Sequence, residues 1–142
     1  LPVATELPAP IIASVAAPRR GKVIVIDDEP LLLGSIRRVL ARDHDVEAFD
    51  DADRAFDAII ARPDLDVILC DLIMPKVSGM DLYERLLSAT PDLAARVVFV
   101  TGGAFSQQGR EFLAAVPNRV IEKPFGPDRL RSLVRELVAQ RS

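Results

Sequence analysis

The stretch from Val67 to Gly79 reads Val-Ile-Leu-Cys-Asp-Leu-Ile-Met-Pro-Lys-Val-Ser-Gly. Four apolar residues lead directly into one carboxylate, Asp71, and a proline-containing loop follows it. A short apolar run bounded by turn residues is typical of a strand that is buried on both faces. An acid at the carboxyl end of such a strand lies where open α/β sheets present their ligand sites. This stretch therefore predicts a buried strand that ends at a functional acid.

The rest of the chain alternates short β-branched runs with amphipathic helical patterns. Strands are predicted at Lys22 to Asp27, Asp45 to Phe49, Asp66 to Asp71, Arg96 to Thr101 and Arg119 to Lys123. Helices are predicted from Pro30 to about Arg42, from an Asp51 or Asp53 cap up to Pro63, from Gly79 to Pro91, from Gln107 to Ala115 and from Pro127 to about Gln140. Five strands that alternate with five helices indicate an α/β fold built of parallel βαβ units.

The composition narrows the class of protein. The 142 residues, of which 49% are hydrophobic, are enough for one globular domain with a sizeable core. A net charge of −3 and the absence of a long Lys/Arg run argue against direct nucleic-acid binding. Cys70 is the only cysteine, so the chain has no internal disulfide and a reducing, cytoplasmic compartment is expected. No apolar run approaches the length of a membrane-spanning helix.

The amino-terminal segment differs from the rest of the chain. Residues 1–20 are rich in proline and small residues and keep no helical or strand period, which predicts a linker or an extended arm. The domain is expected to begin at about residue 21 and to continue to residue 142. Because the first residue is Leu1 and not Met, we expect the chain to be a piece of a longer protein.

Four of the predicted strands end in polar residues, namely Asp27 with Asp28, Asp71, Thr101 and Lys123. The carboxyl ends of parallel strands lie along one edge of the sheet, so these residues are expected to converge. Three carboxylates in one place repel each other unless a cation or a proton lies between them. Since the available ligands are all oxygens, the site favours Mg²⁺, or Mn²⁺, over zinc.

The lysine and the threonine give this predicted metal site a second property. They supply positive charge and a hydrogen-bond donor for an anion. A divalent cation, an ammonium and a hydroxyl around one carboxylate form a phosphoryl-transfer site, with Asp71 as the candidate nucleophile. A phosphoryl group there would draw Thr101 and Lys123 inward and move the loops that follow them, which indicates a switch.

Four motifs at these positions resemble the receiver domain of two-component response regulators. They are Val25-Ile-Asp-Asp-Glu-Pro30, Asp71-Leu-Ile-Met-Pro-Lys-Val-Ser-Gly79, Val100-Thr-Gly102 and Glu122-Lys-Pro-Phe125. Together they span residues from about 22 to 140 in the family's order and spacing. The resemblance implies a flavodoxin-like (βα)5 fold, with parallel strands in the order 2-1-3-4-5 and helices on both faces of the sheet.

The resemblance also implies a phosphoacceptor and a metal site. Asp71 would accept the phosphoryl group from a phosphohistidine on a histidine kinase or a histidine phosphotransfer protein. Asp28 and Asp71 would bind Mg²⁺ directly with the backbone carbonyl of Ile73, and Asp27 would help through water. A domain of this family would catalyse its own phosphorylation and dephosphorylation.

The remaining implied roles concern the anion and the switch. Thr101 and Lys123 would contact the phosphoryl oxygens. Pro124 corresponds to the family's proline after the lysine, which usually follows a cis peptide bond. Many receivers have Tyr or Phe three positions before the lysine, where the ring turns inward on activation, but this chain has Val120. Val120 therefore favours a different output surface, or a passive role in a phosphorelay.

The linker gives a further expectation about the parent protein. Thr5-Glu-Leu-Pro8 resembles the last strand of histidine-kinase ATP-binding domains, which often ends in a Leu-Pro pair. On this interpretation the chain is the carboxyl-terminal receiver of a hybrid histidine kinase, whose parent could be anchored in a membrane.

Other functions compete with the phosphoacceptor hypothesis. An aspartyl-nucleophile phosphatase usually needs a second Asp two residues after the nucleophile, and Ile73 stands at that position. A flavin or nucleotide binder usually has a Gly-rich loop after the first strand, where Asp28-Glu-Pro30 stands instead. A degenerate receiver that acts only as an interaction module would not need the intact acids.

Three more features have plainer interpretations. His44, the only histidine, lies in a charged turn and is predicted to be solvated. Cys70 is predicted to be a small buried core residue rather than a redox site. Leu31-Leu-Leu33 is wider than one helix face needs, so one of the three leucines is expected to be partly exposed.

Overall fold

The computed structural model describes residues 19–74, 77–102 and 106–141. Its strands are β1 (Lys22–Ile26), β2 (Asp45–Phe49), β3 (Val67–Asp71), β4 (Val97–Thr101) and β5 (Val120–Glu122). Its helices are α1 (Pro30–Ala41), α2 (Ala52–Ile60), α3 (Gly79–Ala89), α4 (Pro91–Ala94), α5 (Gln107–Ala115) and α6 (Pro127–Gln140). None of the helices in these ranges has the length and apolar composition needed to cross a membrane.

The predicted elements all form, with small differences at their ends. The Asp51 side chain caps α2 by accepting from the backbone N–H groups of Asp53 and Arg54, so Asp51 and not Asp53 is the N-cap residue. Pro91 ends the helix before it, as predicted, but it also begins the four-residue helix α4, which was not predicted from the sequence. Pro at the first position of a helix loses no hydrogen bond, so the same residue can stop one helix and start another.

The five strands form one parallel sheet in the order β2-β1-β3-β4-β5, which confirms the fold. Ile26 pairs with Cys70, Asp71 pairs with Val100, and Thr101 pairs with Glu122. Strand β3 is central, and all five of its residues are buried, because it has a strand on each side and helices over both faces. The predicted order of strands places the ends of β1, β3, β4 and β5 along one edge.

Successive side chains of each strand enter two separate cores, one on each face of the sheet. On one face, Ile24, Ile68 and Phe99 pack with residues of α2, α3 and α4. On the other face, Val25, Leu69 and Val98 pack with residues of α1 and α6. Helices therefore cover both faces of the sheet, as predicted.

The chain that enters β1 is held by ion pairs and hydrogen bonds. Two guanidinium nitrogens of Arg19 donate to the buried carboxylate of Asp66, at 2.6 and 3.0 Å. The Arg20 guanidinium donates to the backbone carbonyls of Ala41, Arg42 and His44, at the end of α1. These two arginines, which belong to the predicted linker, thus contact the folded domain, and the rest of that linker lies outside the described residues.

The prediction that His44 is solvated is wrong. His44 is only 5% exposed, and its Nδ1 accepts a hydrogen bond of 3.0 Å from the backbone N–H of Gly21. Burial lowers the pKa of the imidazole, and the charge of Asp43 opposes this effect while that of Arg20 adds to it. The reason is the tight connection between α1 and β2, which brings His44 beneath the backbone that enters β1. The Leu31 and Cys70 predictions are confirmed, since Leu31 is 85% exposed and Cys70 is buried.

Candidate functional site

Asp71 is the last residue of β3 and is almost fully buried. The backbone N–H of Ile73 donates to its Oδ1 at 3.2 Å, and the N–H of Leu72 donates to the Val100 carbonyl at 3.0 Å. The chain thus continues the ladder for one residue past Asp71 and then turns away from the sheet. Its carboxylate is held at the edge where β3 and β4 end.

Gly79 fixes the loop after Asp71 by close packing. Its backbone N–H donates to the Leu72 carbonyl at 2.9 Å, and a Cβ at Gly79 would lie 2.5 Å from the Asp71 carbonyl oxygen. Only glycine permits this approach, because any side chain would push α3 away from the end of β3. A capping box between Ser78 and Asp81 begins α3 at the same place.

Three carboxylates meet at this edge, as predicted. Asp27, Asp28 and Asp71 each offer an oxygen, and these oxygens all lie within 4.8 Å of one another. Asp27 and Asp71 are buried, whereas Asp28 is exposed. The Asp27 Oδ1 accepts from the backbone N–H of Glu29 at 2.9 Å, which holds this carboxylate in place.

Lys123 lies between two of these carboxylates. Its ammonium Nζ is 3.2 Å from Asp27 Oδ2 and 3.4 Å from Asp71 Oδ2. Burial alone would lower the pKa of Lys123, but the charges of Asp71 and Asp27 outweigh it and raise the pKa. The lysine is therefore charged and partly neutralises the acids.

The positive charge of Lys123 does not fully offset the effects that raise the pKa of Asp71. Burial first, and then the charge of Asp27, raise the pKa of Asp71 to about 6, against the opposing effects of Lys123 and of the Ile73 N–H. A raised carboxyl pKa means that the ionised group lacks positive charge around it. The donor set of three carboxylates therefore fits an additional cation, and an all-oxygen set fits Mg²⁺.

Thr101 is the last residue of β4 and ends at the same edge of the sheet as Asp71. The residue is 2% exposed, and its Oγ1 is buried without a hydrogen-bond partner among the described residues. An unsatisfied buried hydroxyl is costly, and in native proteins it usually has a functional reason. The Thr101 hydroxyl is therefore a candidate donor to a bound anion.

The other residues singled out by the sequence lie in the loop after β3, at the start of β5 and directly after Lys123. Ile73 follows Asp71 by two residues, its side chain is exposed, and its position in the loop leaves its carbonyl as a candidate metal ligand. The Lys123–Pro124 peptide bond is cis. Val120 begins β5 and is 37% exposed, so no aromatic ring stands at that position to turn inward.

Two features of the site could not be predicted or were not predicted from the sequence. Lys123 was expected to contact the phosphoryl oxygens alone, but its ammonium also bonds Asp27, which the spacing of 96 residues between them could not show. Gly79 was expected only to start a helix. The sequence did contain a signal for its close packing against the end of β3, since a glycine shortly after a functional strand end often marks a close backbone approach.

Comparisons with known proteins agree with this geometry. Residues 23–135 match the response regulator receiver domain family. An uncharacterized response regulatory protein of Vibrio vulnificus is 32% identical over 116 residues, which are 80% of this chain and 46% of that protein. The transcriptional regulatory protein BtsR of Salmonella typhi is 30% identical over 125 residues, which are 85% of this chain and 49% of that protein. The chain thus spans less than half of the length of these two curated relatives.

Solved structures show the same architecture. A response regulator receiver domain protein from Clostridium thermocellum superposes with a TM-score of 0.72 at 26% identity, over 85% of this chain and 96% of that one. A receiver domain protein from Methanospirillum hungatei gives a TM-score of 0.73 at 25% identity, over 86% and 96% of the two chains. With the matched motifs and the acidic edge of the sheet, these similarities identify the family, and the chain belongs to the response regulator receiver domains.

Proposed function

We propose that Asp71 is the residue on which this receiver domain accepts a phosphoryl group from a phosphohistidine. Phosphoryl acceptance in two-component signalling is the function of the family to which the chain belongs. The observation that carries the assignment is the position of Asp71 beside two other carboxylates, within 3.4 Å of the Lys123 ammonium.

Three described side chains have separate roles in the proposed transfer. A carboxylate oxygen of Asp71 forms the new bond to phosphorus while the bond from phosphorus to the partner's histidine nitrogen breaks, and the imidazole keeps that electron pair and takes up a proton. Lys123 pairs with the charge on the phosphoryl oxygens, and the Thr101 hydroxyl donates to one of them.

A divalent cation completes the proposed site. Receiver domains bind Mg²⁺ through acidic residues, and we propose that Asp28, Asp71 and the carbonyl of Ile73 hold it here, with Asp27 acting through water. When bound, the ion supplies positive charge that offsets the carboxylates and the incoming phosphoryl oxygens.

The transfer is tested by labelling the chain with acetyl phosphate or beryllofluoride, with and without Mg²⁺. The expected result is labelling that requires Mg²⁺ and is lost in Asp71→Asn, with Asp57→Asn, a change of an acid on α2, as the matched control. Full labelling of the Asp71→Asn protein would contradict the assignment.

A separate proposal concerns the phosphodonor of this domain and the longer protein to which it belongs. Receiver domains interact with histidine kinases or phosphotransfer proteins, and such a protein is the proposed phosphodonor of this chain. We propose that residues 21–142 form the receiver and that residues 1–20 connect it to a preceding domain, in a hybrid kinase. Expression of the full-length gene product followed by mass determination tests this, since a protein of receiver size alone would contradict it.

A further inference from the structure

A second pocket lies at the edge of the sheet opposite the carboxylates. It has a volume of about 370 Å³ and opens between the start of β4, the loop before β5 and the end of α6. We call it the arginine pocket and define it by its polar lining residues, which are Asp66, Arg96, Asn118, Arg119, Gln140 and Arg141. Three of these six side chains are guanidinium groups.

The one buried acid of the pocket is already saturated with donors. Asp66 accepts from Arg19 at 2.6 and 3.0 Å, from Arg141 Nε at 3.0 Å and from the backbone N–H of Lys22 at 2.8 Å. Burial would raise the pKa of Asp66, but these hydrogen bonds and the charge of Arg19 lower it to about 2. Asp66 therefore has no capacity left to neutralise a further cation.

Arg96 is such a further cation. Its Nη1 donates to the backbone carbonyls of Pro63 and Leu65, at 3.0 and 2.7 Å, which are neutral partners. In the described part of the chain no salt bridge within 4.0 Å reaches Arg96, whereas Arg119 pairs with Glu136 at 3.0 Å. The Arg96 guanidinium is thus held in place, half-buried and without a close carboxylate.

The surroundings make this charge unfavourable. Burial first, and then the charge of Arg141, lower the pKa of Arg96, and the charges of Asp92 and Asp66 only partly oppose them. A partly desolvated cation that faces a second cation is stabilised when an anion lies between them. The planar guanidinium fork suits an oxyanion, to which it can donate two parallel hydrogen bonds.

We propose that the arginine pocket binds a small oxyanion, a carboxylate or a phosphate, between Arg96 and Arg141. The site is separate from the phosphoacceptor, because Asp66 directly precedes β3 and Asp71 ends it, and five residues along a strand rise about 16 Å. The proposal does not depend on the proposed function, since it would hold for a chain that is never phosphorylated at Asp71.

The test is an NMR titration of the full 15N-labelled chain with sodium phosphate and, separately, with sodium acetate. EDTA is present to remove divalent cations, and chloride keeps the ionic strength constant so that screening does not change. We expect saturable shifts at the amides of Arg96, Asn118 and Arg141. Arg96→Gln should weaken this binding about tenfold or more, because a charge-assisted bidentate contact is lost. Arg37→Gln, which removes an exposed arginine on α1, should leave it unchanged.

Each outcome decides the proposal. Saturation by phosphate alone, by acetate alone or by both supports it and identifies the anion. Shifts that grow linearly with either salt, shifts confined to Asp71 and Lys123, or equal affinity in the Arg96→Gln and Arg37→Gln proteins overturn it. Since Arg96 also holds two backbone carbonyls, Arg96→Gln could unfold the chain. Gln140→Glu then decides, because an added negative charge in the pocket should weaken binding severalfold and an unchanged affinity overturns the proposal.

Discussion

The ammonium of Lys123 lies 3.4 Å from the carboxylate of Asp71, although β4 separates β3, which Asp71 ends, from β5, which Lys123 follows. The backbone explains this approach. The N–H of Lys123 donates to the Thr101 carbonyl at 2.7 Å, which ties the chain after β5 to the end of β4. From there the lysine side chain crosses the end of β4 and reaches both Asp71 and Asp27. The parallel sheet thus brings together three strand ends around one charge cluster.

The first prediction removes this ammonium. Lys123→Met keeps the length of the side chain but leaves Asp27 and Asp71 without it, so the incoming phosphoryl charge loses a partner. Hydrogen bonds to charged groups contribute about 1.5–3 kcal/mol, so labelling by acetyl phosphate should slow by about 10- to 100-fold. The rate is measured by mass spectrometry in the presence of Mg²⁺.

Lys22→Met is the control for this change, because Lys22 is an exposed lysine at the opposite edge of the sheet, near Asp45 and Asp64. It should label at the rate of the unaltered chain. If the Lys123→Met protein also labels at that rate, Lys123 takes no part in the transfer.

The second prediction concerns the unsatisfied hydroxyl of Thr101. Thr101→Val has the same shape and removes the buried Oγ1, which lacks a partner in the described part of the chain. The free energy of unfolding in EDTA should therefore rise by about 1 kcal/mol. Binding of beryllofluoride should weaken in the same protein, because the hydroxyl that donates to the anion is absent.

Urea denaturation and a beryllofluoride titration measure the two effects. Thr101→Ser keeps the hydroxyl and loses only a methyl group, so it should retain beryllofluoride binding. A Thr101→Val protein that is less stable than the original by about 1 kcal/mol or more would show that the hydroxyl has a stabilising partner.

Much of the fold could be predicted from the sequence because its signals are local. Four apolar residues before Asp71, and β-branched runs before Asp27 and Thr101, indicate buried parallel strands wherever they stand in the chain. Since parallel strands end at one edge, those local patterns were also enough to predict that the acids and the lysine meet, with Thr101 at the same edge.

The features that escaped prediction depend on distances through space. His44 is buried because the turn after α1 passes under Gly21, a contact between residues 23 apart that no local pattern records. The Arg19–Asp66 pair joins residues 47 apart, and the unneutralised charge of Arg96 is visible only once Asp66 is seen to be saturated. Such tertiary contacts override what composition suggests about a charged turn or a linker.

The third prediction tests the close packing of Gly79. In Gly79→Ala the new Cβ would lie 2.5 Å from the Asp71 carbonyl oxygen and 2.9 Å from the Leu72 Cα, so backbone atoms must move. The free energy of unfolding should fall by about 2 kcal/mol, and labelling should slow because the Asp71 loop is displaced.

Gly34→Ala is the matched control for Gly79→Ala. A Cβ at Gly34, inside α1, would meet only the end of the Arg38 side chain, at 3.7 Å. Alanine in a helix interior is favoured over glycine, so this protein should be more stable by about 0.5–1 kcal/mol. Equal effects of the two substitutions on stability would mean that Gly79 does not pack against β3 as described.

The fourth prediction follows from the raised pKa of Asp71. Its folded value of about 6 lies above the ordinary value of 3.8, so between these pH values the folded state binds more protons than the unfolded state. In EDTA, the free energy of unfolding should therefore rise as the pH falls from 7 to 5. Asp71 should contribute at most about 1.4 kcal/mol per pH unit to this rise. Asp71→Asn should remove this gain, and it should be more stable than the original at pH 7.5. Urea denaturation across the pH range measures both, and a less stable Asp71→Asn protein at pH 7.5 would contradict the prediction.

The fifth prediction concerns His44 and has the opposite sign. Burial lowers the pKa of its imidazole from the ordinary value of 6.5, so below that pH the unfolded state takes up a proton that the folded state resists. Stability should therefore fall as the pH drops below about 6.5. Because Asp71 masks this loss, the measurement is made in the Asp71→Asn background by urea denaturation between pH 8 and pH 5.5. The added change His44→Asn should lower stability at pH 8, where the Gly21 contact is disturbed, and should flatten the pH dependence. If the two proteins lose stability in parallel as the pH falls, another group is responsible for the loss.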